Sequence, residues 1–249
     1  MTIGEDLQGI PTVDGTPPVL RASNRLASTY FDIRDRVVGA AVMMTDQQLA
    51  KRVPACPGWT VHGLVTHLAS MPMTIVAGDI PDEVMAGEDP NPWLARLVEE
   101  HADRSICDLA RWWASEDEAL AEVLRGAGLL LADLITHEGD LHGAIGSRAH
   151  RNAPEYDAQI DAALAGVQKD ISAAGLPPIC VCTGTVRRCS ADGEPGWTLR
   201  TSFWEAHRAL NGRRTREELL AIDHDGDPSR YFEILHNHLP LPNTSLGES

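Results

Sequence analysis

The sequence contains no run of about eighteen apolar residues that could cross a bilayer as a helix. Positive charge is scarce: 21 Lys and Arg stand against 36 Asp and Glu, a formal net charge of -15. That balance argues against a nucleic-acid partner and against docking on anionic membranes. The five cysteines are an odd number without the regular spacing of a disulfide framework, which points to free thiols and a reducing compartment. Met1 to Val13 carries Glu5 and Asp6 and no apolar segment, so no signal peptide is expected, and a cytoplasmic location is. No G-x-S-x-G, G-x-G-x-x-G or P-loop pattern occurs, which weighs against a serine hydrolase, a dinucleotide enzyme or an NTPase. What is present, 43% hydrophobic and 23% charged residues in 249, is ordinary globular composition and fits a small-molecule enzyme or a binding protein.

One stretch concentrates chemistry: Leu129 to Gly146, LLLADLITHEGDLHGAIG. At about 100° per residue, Leu130, Leu134, Leu141 and Ile145 form an apolar stripe. Asp133, His137 and Asp140 form a second stripe beside it, on the side that turns inward. Carboxylates and an imidazole at such spacing are costly to bury without a partner. Asp-x-x-x-His sets two ligands one turn apart, and a divalent metal would pair them. A polar stripe left in water or in ordinary hydrogen bonds accounts for this segment equally well. The metal reading needs a third ligand from elsewhere.

Along the chain, residues 1–19 read as a flexible tail without periodicity. A helical pattern runs from about Leu20 to Met44 (Leu26, Tyr30, Ile33, Val37, Val38). Thr45 and Gln48 form a capping box that starts a short helix. VPACPGWT is a turn, and Thr60 caps a helix expected to end at Pro72. In that helix His67 borders the stripe of Val61, Leu64, Val65 and Leu68. A single histidine there is ordinarily a core residue, yet it is also the natural third ligand; His62, at the exposed first turn, is the weaker candidate. An acidic loop (78–92) precedes one long helical region from Trp93 to Leu124, and Trp93, Trp112 and Trp113 read as core. Glu155 to Ala174 is a further amphipathic helix, completing a bundle.

The character changes at Gly175-Leu-Pro-Pro. Ile179 to Cys189 and Gly196 to Phe203 read as strands joined by a hairpin loop, ADGEPG. Phe203–Leu210 and TREELLAI read as helices, the second with a Thr215–Glu218 capping box. DHDGDP is a turn and Ser229 to His236 a last helix. The expected fold is α+β, mostly α: a four-helix bundle over 20–175, a small α/β domain over 176–241 that packs against it, and a tail over 242–249.

Three separated motifs, in order, carry a family resemblance. VPACPGWTVHGLVTHLA (Val53 to Ala69), LITHEGDLHGAIG and LNGRRTREELLAIDHDGDPSRYF resemble the signatures of the mycothiol-dependent maleylpyruvate isomerase family. The resemblance implies a DinB-like four-helix bundle holding a divalent metal, usually zinc, with a small C-terminal α/β domain completing the site. It implies His67, Asp133 and His137 as metal ligands, with mycothiol as the thiol cosubstrate. Asp140 matches the acidic residue after the second histidine and is assigned to orienting an imidazole. Arg213 and Arg214 match a segment that keeps arginine and would meet substrate carboxylates; the other reading of that pair is a solvated helix end near Glu217 and Glu218. Four positions depart from the family: Asp133 for Glu, Gly63 for an acidic residue, His142 for Arg and His224 for Trp.

Three protein ligands leave an open position on zinc, where a thiol would be deprotonated. The thiolate could then add to a small electrophile, ending either in cis–trans isomerisation or in S-transfer. A non-catalytic binding or regulatory module and a metal-dependent hydrolase are the other readings, and monomer and homodimer both remain open. Four signals are set aside. DHDGD lacks the Gly and Glu of a calcium loop. Cys180 and Cys182 read as buried thiols and Cys56 as a packing residue. His236 and His238 read as solvated.

Overall fold

A computed structural model describes residues 18–125, 128–235 and 240–248. The proposed tail over 1–19 falls almost wholly outside these residues, as do His236 and His238. Among the described residues the fold is α+β and mostly α, as expected. No helix there is long and apolar enough to cross a membrane.

The first half is helical. It comprises α1 (Pro18–Val42), α2 (Asp46–Leu49), a ribbon of β1 (Arg52–Val53) and β2 (Cys56–Thr60), α3 (Val61–Ala77) and α4 (Asp82–Met85). Then come α5 (Asn91–Glu100), α6 (Ile106–Trp113), α7 (Asp117–Leu124) and α8 (Gly128–Ile145). Helices α1, α3 and α8 form three rods of a bundle, and α6 with α7 forms a broken fourth. The expected stripes meet there: Tyr30, Ile33, Leu64, Leu68, Trp113, Leu124, Leu134 and Leu141 share one buried cluster.

Three local expectations are corrected. The expected turn VPACPGWT is a two-stranded ribbon, with Arg52 opposite Thr60. Pro72 lies inside α3 rather than ending it. Met73 is buried beyond it, and Ile75 and Val76 pack on the core. Side chains of that size contribute about 1.5–3 kcal/mol each, enough to offset the roughly 3 kcal/mol of an interior proline. The helix ends instead at Gly78, whose φ of 77° suits a residue without Cβ. The single helix expected from Trp93 to Leu124 is three, and the first break falls where Ser105 caps α6 by accepting from the Asp108 N–H.

The second half opens with α9 (Glu155–Ala173), followed by β3 (Ile179–Thr183), β4 (Val186–Cys189) and β5 (Trp197–Arg200). It closes with α10 (Phe203–Leu210), α11 (Arg216–Ala221), β6 (His224–Gly226) and a 3-10 turn, Pro228–Tyr231. The sheet order is β4-β3-β5-β6. What reads in sequence as one strand, Ile179 to Cys189, is a hairpin turning at Gly184 (φ 57°). ADGEPG is consequently no hairpin loop, because it returns the chain to run β5 parallel to β3. DHDGDP supplies β6, antiparallel to β5, as well as a turn.

The stripe of α9 (Ile160, Leu164, Val167, Ile171) packs on this sheet with Val181, Trp197 and Leu199, while Tyr156, one turn earlier, belongs to the bundle core. This helix therefore joins the two cores rather than completing the bundle. Cys180 and Cys189 stand directly opposite on β3 and β4 and are bonded as a disulfide, which corrects the reading of Cys180 as a thiol and of the chain as wholly reduced. The tail expected from residue 242 is packed in part: Leu246 and Glu248 are buried.

Candidate metal centre

Helix α8 carries the centre because its inward face is polar at one-turn spacing. Asp133 and His137 stack at i, i+4, and α3 brings His67 against them. His67 Nε2 lies 3.3 Å from Asp133 Oδ2, and His137 Nε2 lies 3.4 Å from Asp133 Oδ1. The two imidazoles meet edge to face at 5.1 Å between ring centres. A tetrahedral ion with ligand bonds of about 2.0–2.1 Å has ligand–ligand edges of roughly 3.3–3.4 Å. The observed separations match those edges and are long for hydrogen bonds of this type. One ligand atom from each of these three side chains lies within 4.8 Å of the others, so the group could hold a cation.

The electrostatics agree. Burial alone would raise the Asp133 carboxyl, but the imidazoles of His137 and His67 outweigh it and hold it below the usual carboxylate range. Burial likewise opposes charge on His137, yet Asp133, Cys56 and Asp140 raise it well above the ordinary imidazole value. The Asp133 side chain is 23% exposed while those of His67 and His137 are 1% and 9% exposed, so approach is from the aspartate side.

Three features surround the trio. Asp140 Oδ2 lies 2.8 Å from His137 Nδ1; an N–H donated there leaves the Nε2 lone pair facing Asp133. The ribbon, which leads directly into the Thr60 cap of α3, lays Cys56 and Trp59 over the site. Cys56 Sγ donates to Asp140 Oδ2 at 3.6 Å, and the Trp59 ring stacks on His67 at 4.6 Å. His67 Nδ1 is buried and makes no hydrogen bond to a described residue.

The second half holds Asp140 from behind. Arg213 donates to both of its oxygens, at 3.4 Å from Nε and 3.0 Å from Nη2, and Arg208 Nη2 donates to Oδ1 at 2.5 Å. Burial would raise the Asp140 carboxyl, and Arg213 and Arg208 pull it well below the usual range. Arg214 is spent on Glu205 (2.6 and 2.9 Å) and Glu248 (2.7 Å). Arg213 and Arg214 are 4% and 6% exposed, so they are neither a solvated helix end nor partners of Glu217 and Glu218. Their donors serve internal carboxylates and backbone carbonyls.

Arg208 and Glu248 were not legible as site residues. The available signal was two helix-interior glycines, since a Cβ at Gly139 would lie 3.0 Å from Arg208 Nη1 and one at Gly143 3.0 Å from Glu248 Oε1. His62 lies off the site, with Nε2 2.9 Å from the Arg104 carbonyl. Another group, Glu138, His142 and His150, also comes together, but both Glu138 oxygens already accept from Arg36 at 2.9 and 3.0 Å. A cavity of about 740 Å³ between α3, α5 and α6 is lined by Met73, Trp93, Arg96 and Trp112 and by none of the metal-site trio.

With this geometry in hand, the class is that of a helical bundle carrying a His-Asp-His cluster that could hold a cation. The family model described as Mycothiol maleylpyruvate isomerase N-terminal domain matches residues 31–129, and that segment is similar to this family. It contains α3 with His67 and ends where α8 begins, short of Asp133 and His137. No curated protein and no solved structure matches the chain.

Proposed function

We propose that this protein is a thiol-activating, mycothiol-dependent metalloenzyme in which His67, Asp133 and His137 hold one divalent ion. The observation that carries this reading is the 3.3 and 3.4 Å spacing of the two Nε2 atoms from the two Asp133 oxygens. Two imidazoles and one carboxylate are a donor set suited to zinc. A zinc ion bound by three protein ligands supplies Lewis acidity that turns a thiol into thiolate at neutral pH. The family supplies the identity of the thiol.

The chain's own residues do the rest. Asp140 takes the Nδ1 proton of His137 in a hydrogen bond and fixes its tautomer. Arg208 and Arg213 hold Asp140, and Trp59 keeps water from the face of His67. The 23% exposure of the Asp133 side chain gives the side from which a thiol would approach. Addition of the thiol is common to isomerisation and to S-transfer. Because Arg213 and Arg214 are engaged internally, they give no specific support to a dicarboxylate such as maleylpyruvate.

Metal content by mass spectrometry tests the reading. Wild-type protein is expected to hold one zinc-like ion per chain, and His67→Ala or His137→Ala to lose it while staying folded. A wild type that cannot be loaded with zinc, cobalt or nickel would overturn the proposal.

A further inference from the structure

We infer that Glu248 is a positioning residue for the centre, the outer carboxylate of a relay running Glu248–Arg208–Asp140–His137. Four observations carry it. Glu248 is 4% exposed, although its segment has no regular secondary structure. Its carboxylate takes one edge of the Arg208 guanidinium, Oε2 accepting from Nε at 2.9 Å and Oε1 from Nη2. Arg208, itself fully buried, spends its remaining donors on the Thr136 carbonyl at 3.0 Å and on Asp140. Gly143 leaves the space that Glu248 fills, since a Cβ there would stand 3.0 Å from its Cγ and Oε1.

Three buried or half-buried carboxylates (Asp140, Glu205, Glu248) face three guanidiniums (Arg208, Arg213, Arg214) in one network. Removing Glu248 leaves a surplus buried positive charge and frees the Nε edge of Arg208. That guanidinium would then draw on both Asp140 oxygens, as arginine does wherever a carboxylate is within reach of its fork. Oδ2 is the oxygen that His137 Nδ1 uses, so the cost falls on the orientation of the imidazole and on its Nδ1 hydrogen bond. Glu248 touches neither His137 nor the trio; it acts through Arg208.

The direct readout is the ¹⁵N NMR signal of the His137 ring in the full chain, which reports the Nδ1–H hydrogen bond with or without metal. Glu248→Ala and the isosteric Glu248→Gln are both expected to shift it. Acetate at tens of millimolar is expected to restore it in Glu248→Ala, because a free carboxylate fits the vacated place. The metal consequence rests on the proposed function: zinc affinity in chelator competition should fall about tenfold or more in both variants. An unchanged His137 signal in both folded variants would overturn the inference whatever the metal does. A wild type without metal but with a shifted His137 signal in the variants would sink the metal reading and leave the relay standing.

Discussion

At the scale of single residues, burial decides which charges persist. His207 shows the principle away from the ligands. It is 2% exposed, its Nδ1 has no hydrogen-bond partner among the described residues, and burial, then Arg208 and Arg213, press its pKa down from 6.5 to about 3. The folded-state value lies below the unfolded one. As pH falls through about 6.5 the unfolded chain therefore binds a proton that the folded chain refuses, and stability drops between about 6.5 and 3. Above that window His207 has no effect on the pH dependence. At pH 5 the loss amounts to at most about 2 kcal/mol. His207→Phe keeps the edge contact with Tyr156 and should lose less stability than wild type between pH 7 and pH 5 in urea unfolding. Equal losses in the two proteins would show that His207 is not held neutral.

At the scale of elements, glycines divide into those that admit a neighbour and those that merely weaken a helix. Gly166, in the interior of α9, has nothing within 4 Å of an added Cβ. Gly166→Ala should therefore stabilise by about 0.5–1 kcal/mol. A Cβ added at Gly139 would lie 3.0 Å from Arg208 Nη1 and 3.4 Å from Cζ, and Arg208 cannot yield because Asp140, Glu248 and the Thr136 carbonyl pin it. Overpacking of about 1–3 kcal/mol should outweigh the helix gain there, so Gly139→Ala should destabilise. Thermal melts of the two variants check the contrast, and a gain at both positions would contradict the packing described. The same elements show what sequence patterning conveys. The stripes of α1, α3, α8 and α9 follow from the 3.6 period, and the caps at Thr45, Thr60 and Thr215 from residue type. Hidden from it were the run of α3 through Pro72, the turn at Gly184 and the parallel pairing of β3 with β5. Each depends on contacts distant in sequence, which local periodicity does not encode.

For the whole molecule, neither half is complete alone. The bundle supplies His67, Asp133, His137 and Asp140, while α10 and the turn after it supply the arginines that hold Asp140. The one-turn spacing on α8 was legible in sequence, and so was His67 as the candidate third ligand, which the family resemblance then reinforced. Arg208 was not legible, because an arginine on a short amphipathic helix (FWEAHRAL) carries no mark of burial until the partner helix is in place. Nor was Glu248, whose segment has neither periodicity nor motif. The molecule thus places a candidate cation cluster on a bundle and braces it with a second core, and its net charge of -15 disfavours a polyanionic ligand.

The central claim is that the site activates a thiol, and the most direct test is the absorption spectrum of the cobalt-substituted protein titrated with mycothiol. A thiolate-to-cobalt charge-transfer band should rise in proportion to the bound thiol and be missing from His137→Ala. A cobalt spectrum that mycothiol leaves unchanged would contradict the account, since the ion would then have no position open to a thiol.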